Sequence, residues 1–333
     1  MPADEVPLDA LIGAVSGRSG ARPWTEADAP GALVVDLDPG AQGSGPIPAL
    51  HGGVRAVVVG VTAAAHAGSH PAAEVCDVVM SPGDPGLDAV LATVRAFPRA
   101  ATALAVLLRV APHRSSDAGF TAESAVYSAL QAGPEFAAWR AARRRRDRPP
   151  EGDPVAVERD GDVLTITLDR PHVRNALSTA VRDRLVDAFG LAAADPSIVD
   201  VRLRGAGRDF CSGGDLDEFG TFPDPATAHL VRLQQSVGRS IAAVAGRVTA
   251  EVHGACIGSG IELPAFAGTV VAAPSARFAL PEVSLGLIPG AGGTVGLPRR
   301  IGRHRTARLA LTGEVIDAQT ALAWGLVDVV RDD

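Results

Sequence analysis

The chain has 333 residues, 47% of them hydrophobic, with 31 basic against 38 acidic residues and a net charge of −7. That length allows two domains with a sizeable buried core, and the acidic balance speaks against a nucleic-acid footprint. Every basic residue is arginine, so a phosphate contact has to come from guanidinium groups or backbone amides.

Cys76, Cys211 and Cys256 show no paired or metal-ligand spacing. The N-terminus carries no charged-then-apolar signal pattern, and no apolar run approaches the ~18 residues needed to span a bilayer. The expectation is a soluble cytoplasmic protein without membrane or nucleic-acid partners.

Residues 1–84 are rich in glycine and proline, with short apolar runs at Ala32–Leu37 and Arg55–Thr62 that read as buried strands. Residues 86–147 carry helical spacing instead. Leu87–Val110 is one such stretch, broken at Pro98, and Thr121–Arg144 is a second. Arg140–Pro150 is a charged run closed by two prolines, which reads as a helix end and a linker. The expected division is therefore 1–150 and 151–333.

Strand and helix patterns alternate after the boundary. Val155–Glu158 and Val163–Asp169 form an expected hairpin around Gly161. Ser178 is a plausible N-cap for a helix over Ser178–Ala194. A strand at Val199–Leu203, a helix at Ala228–Ala245, a strand at Val248–Val252, a short helix at Ile261–Phe266 and a strand at Thr269–Ala272 follow. Such alternation indicates a largely parallel α/β core.

Three segments carry candidate chemistry. Gly258-Ser259-Gly260 follows a strand and opens a helix, so its free amides would favour an anion or a developing oxyanion. Glu262 falls in that first turn, where complementing the helix dipole is an equally good account of it. Gly213-Gly214-Asp215 and Pro281-Glu282 taken alone read as structural turns. Together they offer two carboxylates for acid/base work and two amide-bearing turns. Cys211 and Cys256 read as small core residues.

In this order the motifs closely resemble the enoyl-CoA hydratase/isomerase (crotonase) family. The match runs from Asp169-Arg170-Pro171 to Leu177, through Phe210–Leu216, His253–Leu263 and Leu280-Pro281-Glu282, to Gly286–Thr294. It closes on Leu311-Thr312-Gly313-Glu314 and Ala323-Trp324-Gly325-Leu326-Val327, covering about Val155 to Val330. The resemblance implies an α/β fold of the crotonase-like (ClpP/crotonase) spiral type, built of ββα units and assembled as a homotrimer or dimer of trimers. It implies an acyl-CoA or enoyl-CoA substrate, with no cofactor beyond the coenzyme A that the substrate carries. The oxyanion amides map to Gly214 and Ser259, and the acid/base pair to Glu262, mainly for the water, and Glu282, mainly for the α-proton. Substrate contacts map to Arg174, Ala176, Asp215, Leu216, Asp217, Gly258, Pro289 and Gly290. The implied reaction is reversible syn hydration of a 2-enoyl-CoA. The alternatives are an enoyl-CoA isomerase or a catalytically silent acyl-CoA-binding or assembly subunit.

Ser259 departs from the glycine usual in the family, Pro264 and Gly268 from Ala and Asp, and Asp217 from a frequent basic residue. Family members also continue some seventy residues past the Trp-Gly-Leu-Val match. Residues 89–146 resemble that helical tail, at Phe97–Ala101, Glu123–Leu130 and Pro134–Trp139. Ala32–Leu37, Arg55–Thr62 and Cys76–Val79 look like a shortened copy of the core strands. Residues 1–150 thus read as a truncated crotonase-like region whose helices replace the absent ones.

Overall fold

The computed structural model describes residues 4–5, 7, 11, 31–38, 54–63, 71–146 and 152–331. The end of the arginine-rich run, with Pro149 and Pro150, lies outside the described residues.

The first sheet contains β1 (Asp4–Glu5), β2 (Ala32–Asp36), β3 (Val57–Val61) and β4 (Val78–Met80), in that order and all parallel. Val57, Val58 and Val59 are all buried, as expected of a parallel strand covered on both faces. Beside this sheet Arg109 is fully enclosed. It forms a 2.7 Å ion pair with Asp77 and donates to the carbonyls of Val54 and Ala56. Burial of that charge is tolerable only because its donors are satisfied.

The helical stretch begins with α1 (Pro85–Ala96) and α2 (Pro98–Arg109), bent by 114° at the break. Pro98 begins the second helix at a position whose N–H has no helical partner, where proline costs nothing. Next come α3 (Ser116–Gln131) and α4 (Pro134–Ala142). The single helix expected over Thr121–Arg144 is thus two, because Pro134 starts a new helix after Ala132-Gly133. Among the described residues no single helix is long and apolar enough to cross a membrane.

The second half opens with the expected hairpin, β5 (Val155–Asp160) against β6 (Val163–Leu168), closed at Gly161 with φ of 59°. In β6 the buried residues alternate as Leu164, Ile166 and Leu168. Ser178 caps α5 (Thr179–Ala194) by accepting from the Val181 N–H at 3.3 Å. Further along lie β7 (Asp200–Gly205), α6 (Pro225–Gln234), α7 (Val237–Ala243) and β8 (Val248–Val252). The helix expected over Ala228–Ala245 is broken at Gln235, and Ser236 caps the second piece on the Arg239 N–H.

After these come β9 (Ala255–Ile257), α8 (Ser259–Glu262), β10 (Thr269–Ala272), β11 (Arg277–Ala279) and α9 (Gly293–Thr312). The chain closes with β12 (Ile316–Asp317), α10 (Ala318–Trp324) and β13 (Val329–Val330). A six-stranded sheet runs β13-β10-β8-β7-β6-β5, parallel except at the hairpin. A smaller one runs β12-β11-β9. The two sheets place the segments after β7 and β9 side by side, through a bridge between Cys211 and Cys256.

The helices of the first half pack on the second within the same chain. Phe120 of α3 lies 5.3 Å from the Phe266 ring, and Gly119 leaves room for Val295 of α9. Arg308 of α9 bridges Asp84, the N-cap of α1, and Glu314. Arg303 donates to the Cys76 carbonyl at 2.6 Å. One hydrophobic core runs through both halves. A chain beginning at Gly152 should therefore expose the surface around Phe266 and Val295 and aggregate, as large bare apolar patches do. Size-exclusion chromatography checks this, and a soluble monomeric fragment is the result that contradicts it.

Candidate functional site

The site begins at two turns. After β7 the chain passes Cys211 and reaches Gly213 and Gly214. There the Leu177 N–H donates to the Gly213 carbonyl and the Asp215 N–H to the Leu177 carbonyl, both at 2.8 Å. This alternation leaves the Gly214 N–H directed away from Leu177, without a backbone acceptor among the described residues. After β9 the chain turns at Gly258, with φ of 53° and ψ of −117°. A Cβ there would lie 2.3 Å from Glu282 Oε1, so glycine is required by both conformation and space. Ser259 starts α8, and its N–H likewise has no backbone acceptor. The Ser259 hydroxyl lies 3.5 Å from the Cys211 thiol.

One cavity of about 160 Å³ is lined by Gly214, Ser259, Glu262, Glu282, Tyr127 and Arg232, among others. The residues singled out as two carboxylates and two amide donors thus meet in one place. Glu262 is 2% exposed, and its Oε2 accepts from the Ala291 and Gly293 amides at 2.7 and 2.8 Å. Glu282 is 8% exposed, and its buried Oε2 has no hydrogen-bond partner. Burial pushes Glu282 up to about 7, with the charge of Glu123 adding to the rise. Burial, then the Glu282 and Glu123 charges, also hold Glu262 well above the usual carboxylate range, against the pull of its two amides.

The positions expected to contact substrate divide in two. Gly290 and Asp215 line the cavity, and Pro289 is buried beside it, within van der Waals reach of Gly293. Asp215 is paired with Arg170, Asp217 with Arg143, and Arg174 with Asp209 at 2.7 Å, away from the carboxylates. The Ala176 carbonyl takes a hydrogen bond from Arg170, the Gly258 N–H donates to Ala279, and Leu216 is half-buried. Cys211 and Cys256 are buried, as expected of core residues.

The structure adds three residues not singled out as site residues, two of them within the Glu123–Leu130 segment that resembles the helical tail. Glu123 of α3 is buried, and it accepts from the Gly292 amide at 2.7 Å and from the Thr294 amide and hydroxyl at 2.8 and 2.7 Å. Successive amides at the start of α9 therefore serve two carboxylates in turn: residues 291 and 293 hold Glu262, while 292 and 294 hold Glu123. The positive helix end favours both. Burial pushes Glu123 up to about 7, against the pull of the Thr294 and Gly292 donors. Tyr127 of the same helix is buried, and burial raises its hydroxyl further above its ordinary value. Arg232 of α6 stacks over the Tyr127 ring, 4.7 Å from its centre. A sequence signal did exist for Glu123: with Phe120, Tyr127 and Leu130 it occupies one helical stripe, and a carboxylate there needs buried donors.

Among the described residues no group of three or more His, Cys, Asp or Glu could hold a metal ion. What the cavity offers is acid/base chemistry beside two amide donors.

Comparison with known proteins agrees with this picture. The family model described as enoyl-CoA hydratase/isomerase matches residues 158–333. The 2,3-dehydroadipyl-CoA hydratase of Escherichia coli K12 is 40% identical over 54% of this chain and 70% of its own. The 1,2-epoxyphenylacetyl-CoA isomerase of the same organism is 36% identical over 51% of this chain and 67% of its own. The crystal structure of enoyl-CoA hydratase from Thermoplasma volcanium GSS1 superposes with a TM-score of 0.51 at 36% identity, covering 55% of this chain and 73% of that one. With its α/β architecture and this match over more than half its length, the chain belongs to the enoyl-CoA hydratase/isomerase family, of crotonase-like fold.

Proposed function

We propose that the protein is an enoyl-CoA hydratase, adding water reversibly and syn across the double bond of a 2-enoyl-CoA thioester. The observation that carries this reading is the pairing in one cavity of two buried carboxylates, one oriented by two amides and the other with a bare oxygen. Addition of water needs one group to take a proton from the water and another to deliver one to the α-carbon. Migration of a double bond needs only one shuttling base, so the retention of both favours hydration over isomerisation.

In this mechanism the thioester oxygen accepts from the Gly214 and Ser259 N–H groups. Charge developing on it as water attacks the β-carbon is stabilised there, each such donor contributing about 3–4 kcal/mol. Glu262, fixed as an acceptor by Ala291 and Gly293, takes the water proton, and Glu282 gives its own to the α-carbon on the same face. Both carboxylates border the one cavity, which is what syn addition requires. We also propose a cytoplasmic homotrimer, and that residues 1–150 are a truncated crotonase-like region whose helices stand in for a C-terminal tail.

Replacing Glu262 or Glu282 by Gln keeps the shape and removes the proton transfer. Each variant should lose at least ~10²-fold in kcat while still binding coenzyme A thioesters. The loss of enone absorbance from crotonyl-CoA measures this, and wild-type turnover in either variant refutes the assignment.

The active form of the pair holds one proton, ready both to accept and to donate. Burial lifts Glu282 to about 7 and holds Glu262 well above the usual carboxylate range, so the pair takes up a second proton as the pH falls through neutrality. The kcat/KM should accordingly rise with pH through about 7. Because protons do not enter the overall equilibrium, hydration and dehydration should show the same profile. A flat profile between pH 6 and 8, each roughly one unit from that limb, excludes the shared proton.

Glu123 is a positioning residue in this scheme, acting through the Ala291–Thr294 backbone. Glu123→Gln should lower kcat by about 10–100-fold, the usual cost of losing such support, with a smaller effect on KM. Since the Glu123 charge raises both active carboxyls, the rising limb should also move to lower pH. An unmoved limb reduces Glu123 to a structural anchor.

A further inference from the structure

Among the described residues Arg232 is a cation without an ion-pair partner. Its guanidinium donates to the Ser124 hydroxyl at 3.3 Å, to the Ser128 hydroxyl and to the Gln131 side chain at 3.4 Å, all of them neutral. It makes no salt bridge to any described residue, whereas Arg182, which lines the same cavity, is joined to Asp183 at 2.7 Å. Glu123, the carboxylate whose charge acts on it, has both oxygens committed to Gly292 and Thr294. Desolvation lowers the pKa of this guanidinium, while Glu123 acts on it only at longer range, so a directly bound anion would stabilise it further.

Its position narrows which anion. Arg232 lines the cavity that holds Glu262 and Glu282, and also a second, smaller one of about 80 Å³ bordered by Phe120, Leu263 and Val237. Arg232 and Arg182 thus line both spaces, and the second, whose walls combine those apolar side chains with Glu123, Ser124 and Gln235, has room for the part of an acyl chain beyond the reacting carbons. The phosphates of coenzyme A lie at the far end of the pantetheine arm from the thioester, whereas Arg232 lines the cavity that holds both carboxylates. Stacking on Tyr127 fixes the guanidinium plane, leaving its edge to form directed hydrogen bonds.

We propose that this protein takes acyl thioesters whose chain ends in a carboxylate, and that Arg232 is the specificity-determining residue that receives it. The inference rests on the thioester-binding reading above and deepens it.

Saturated thioesters test it without any turnover. By calorimetry, glutaryl-CoA and adipoyl-CoA are compared with pentanoyl-CoA and hexanoyl-CoA, their methyl-ended counterparts of equal length. The wild-type protein should prefer the better-fitting acid over its counterpart by at least about tenfold, as a charge-assisted contact implies. Arg232→Gln should bring that ratio to about one, and Arg232→Lys, which keeps the charge, should retain part of it. The preference should persist with the corresponding pantetheine thioesters, which lack the nucleotide phosphates. Equal binding of the acids and their counterparts by the wild type overturns the proposal. So does an Arg232→Gln variant that weakens coenzyme A and all four thioesters alike, since that marks a phosphate contact. The binding ratio is independent of hydration, so a protein that prefers the acids yet leaves every enoyl-CoA unchanged contradicts the hydratase reading and not this one.

Discussion

The stretch Ala291–Thr294 is the constraint on which the rest of the site depends. Four consecutive amides at the start of α9 are taken alternately by two carboxylates, one from each half of the chain. One of these, Glu262, belongs to the reactive cavity. The other, Glu123, belongs to the helical layer of the first half. Neither half can move at this point without breaking hydrogen bonds between buried carboxyl acceptors and buried backbone donors, which would leave both unsatisfied. The helical layer is thereby a wall of the cavity as well as a cover for apolar surface.

Burying three carboxyl groups so close together opposes stability, since desolvation penalises each ionised form and their charges repel. Among the described residues none of the three glutamates forms a direct ion pair, and the Arg232 charge eases only Glu123, from a distance. Backbone amides and a hydroxyl serve instead, and they are fixed donors that cannot themselves give up a proton. The result is a site in which protons remain on carboxyl groups up to about neutral pH, as a proton-shuttling pair requires.

Much of this was legible because it is local. The turn at Gly258 needs a glycine, a helix has to follow, and the N–H of Ser259 is left over; all three facts reside in adjacent residues. The hairpin at Gly161 and the Ser178 cap are local in the same sense. The longer helices were less so. Thr121–Arg144 and Ala228–Ala245 each look continuous from apolar spacing, yet Pro134 and Ser236 start new helices, because a start signal outweighs the periodicity running through it. Partnerships across the chain left almost no trace. Asp215, Asp217 and Arg174 all lie within or beside the motifs, but their ion pairs with Arg170, Arg143 and Asp209 involve residues whose proximity depends on the finished fold. The role of Glu123 was hidden for the same reason.

The separation between Glu123 and its donors has a consequence for the order in which the molecule is made. Gly292 lies 169 positions downstream, and at a synthesis rate of about 5–20 residues per second that interval lasts on the order of 10–30 s. Throughout it, α3 is out of the ribosome with its apolar stripe and its carboxylate, while the surface it will cover has not been translated. In solvent that carboxylate is ionised, so helices bearing a charge in the middle of their sticky face resist premature association with one another. When α9 finally emerges, the same charge finds the amides it lacked. The glutamate that ties the two halves together at the end also keeps the first from closing on itself at the beginning.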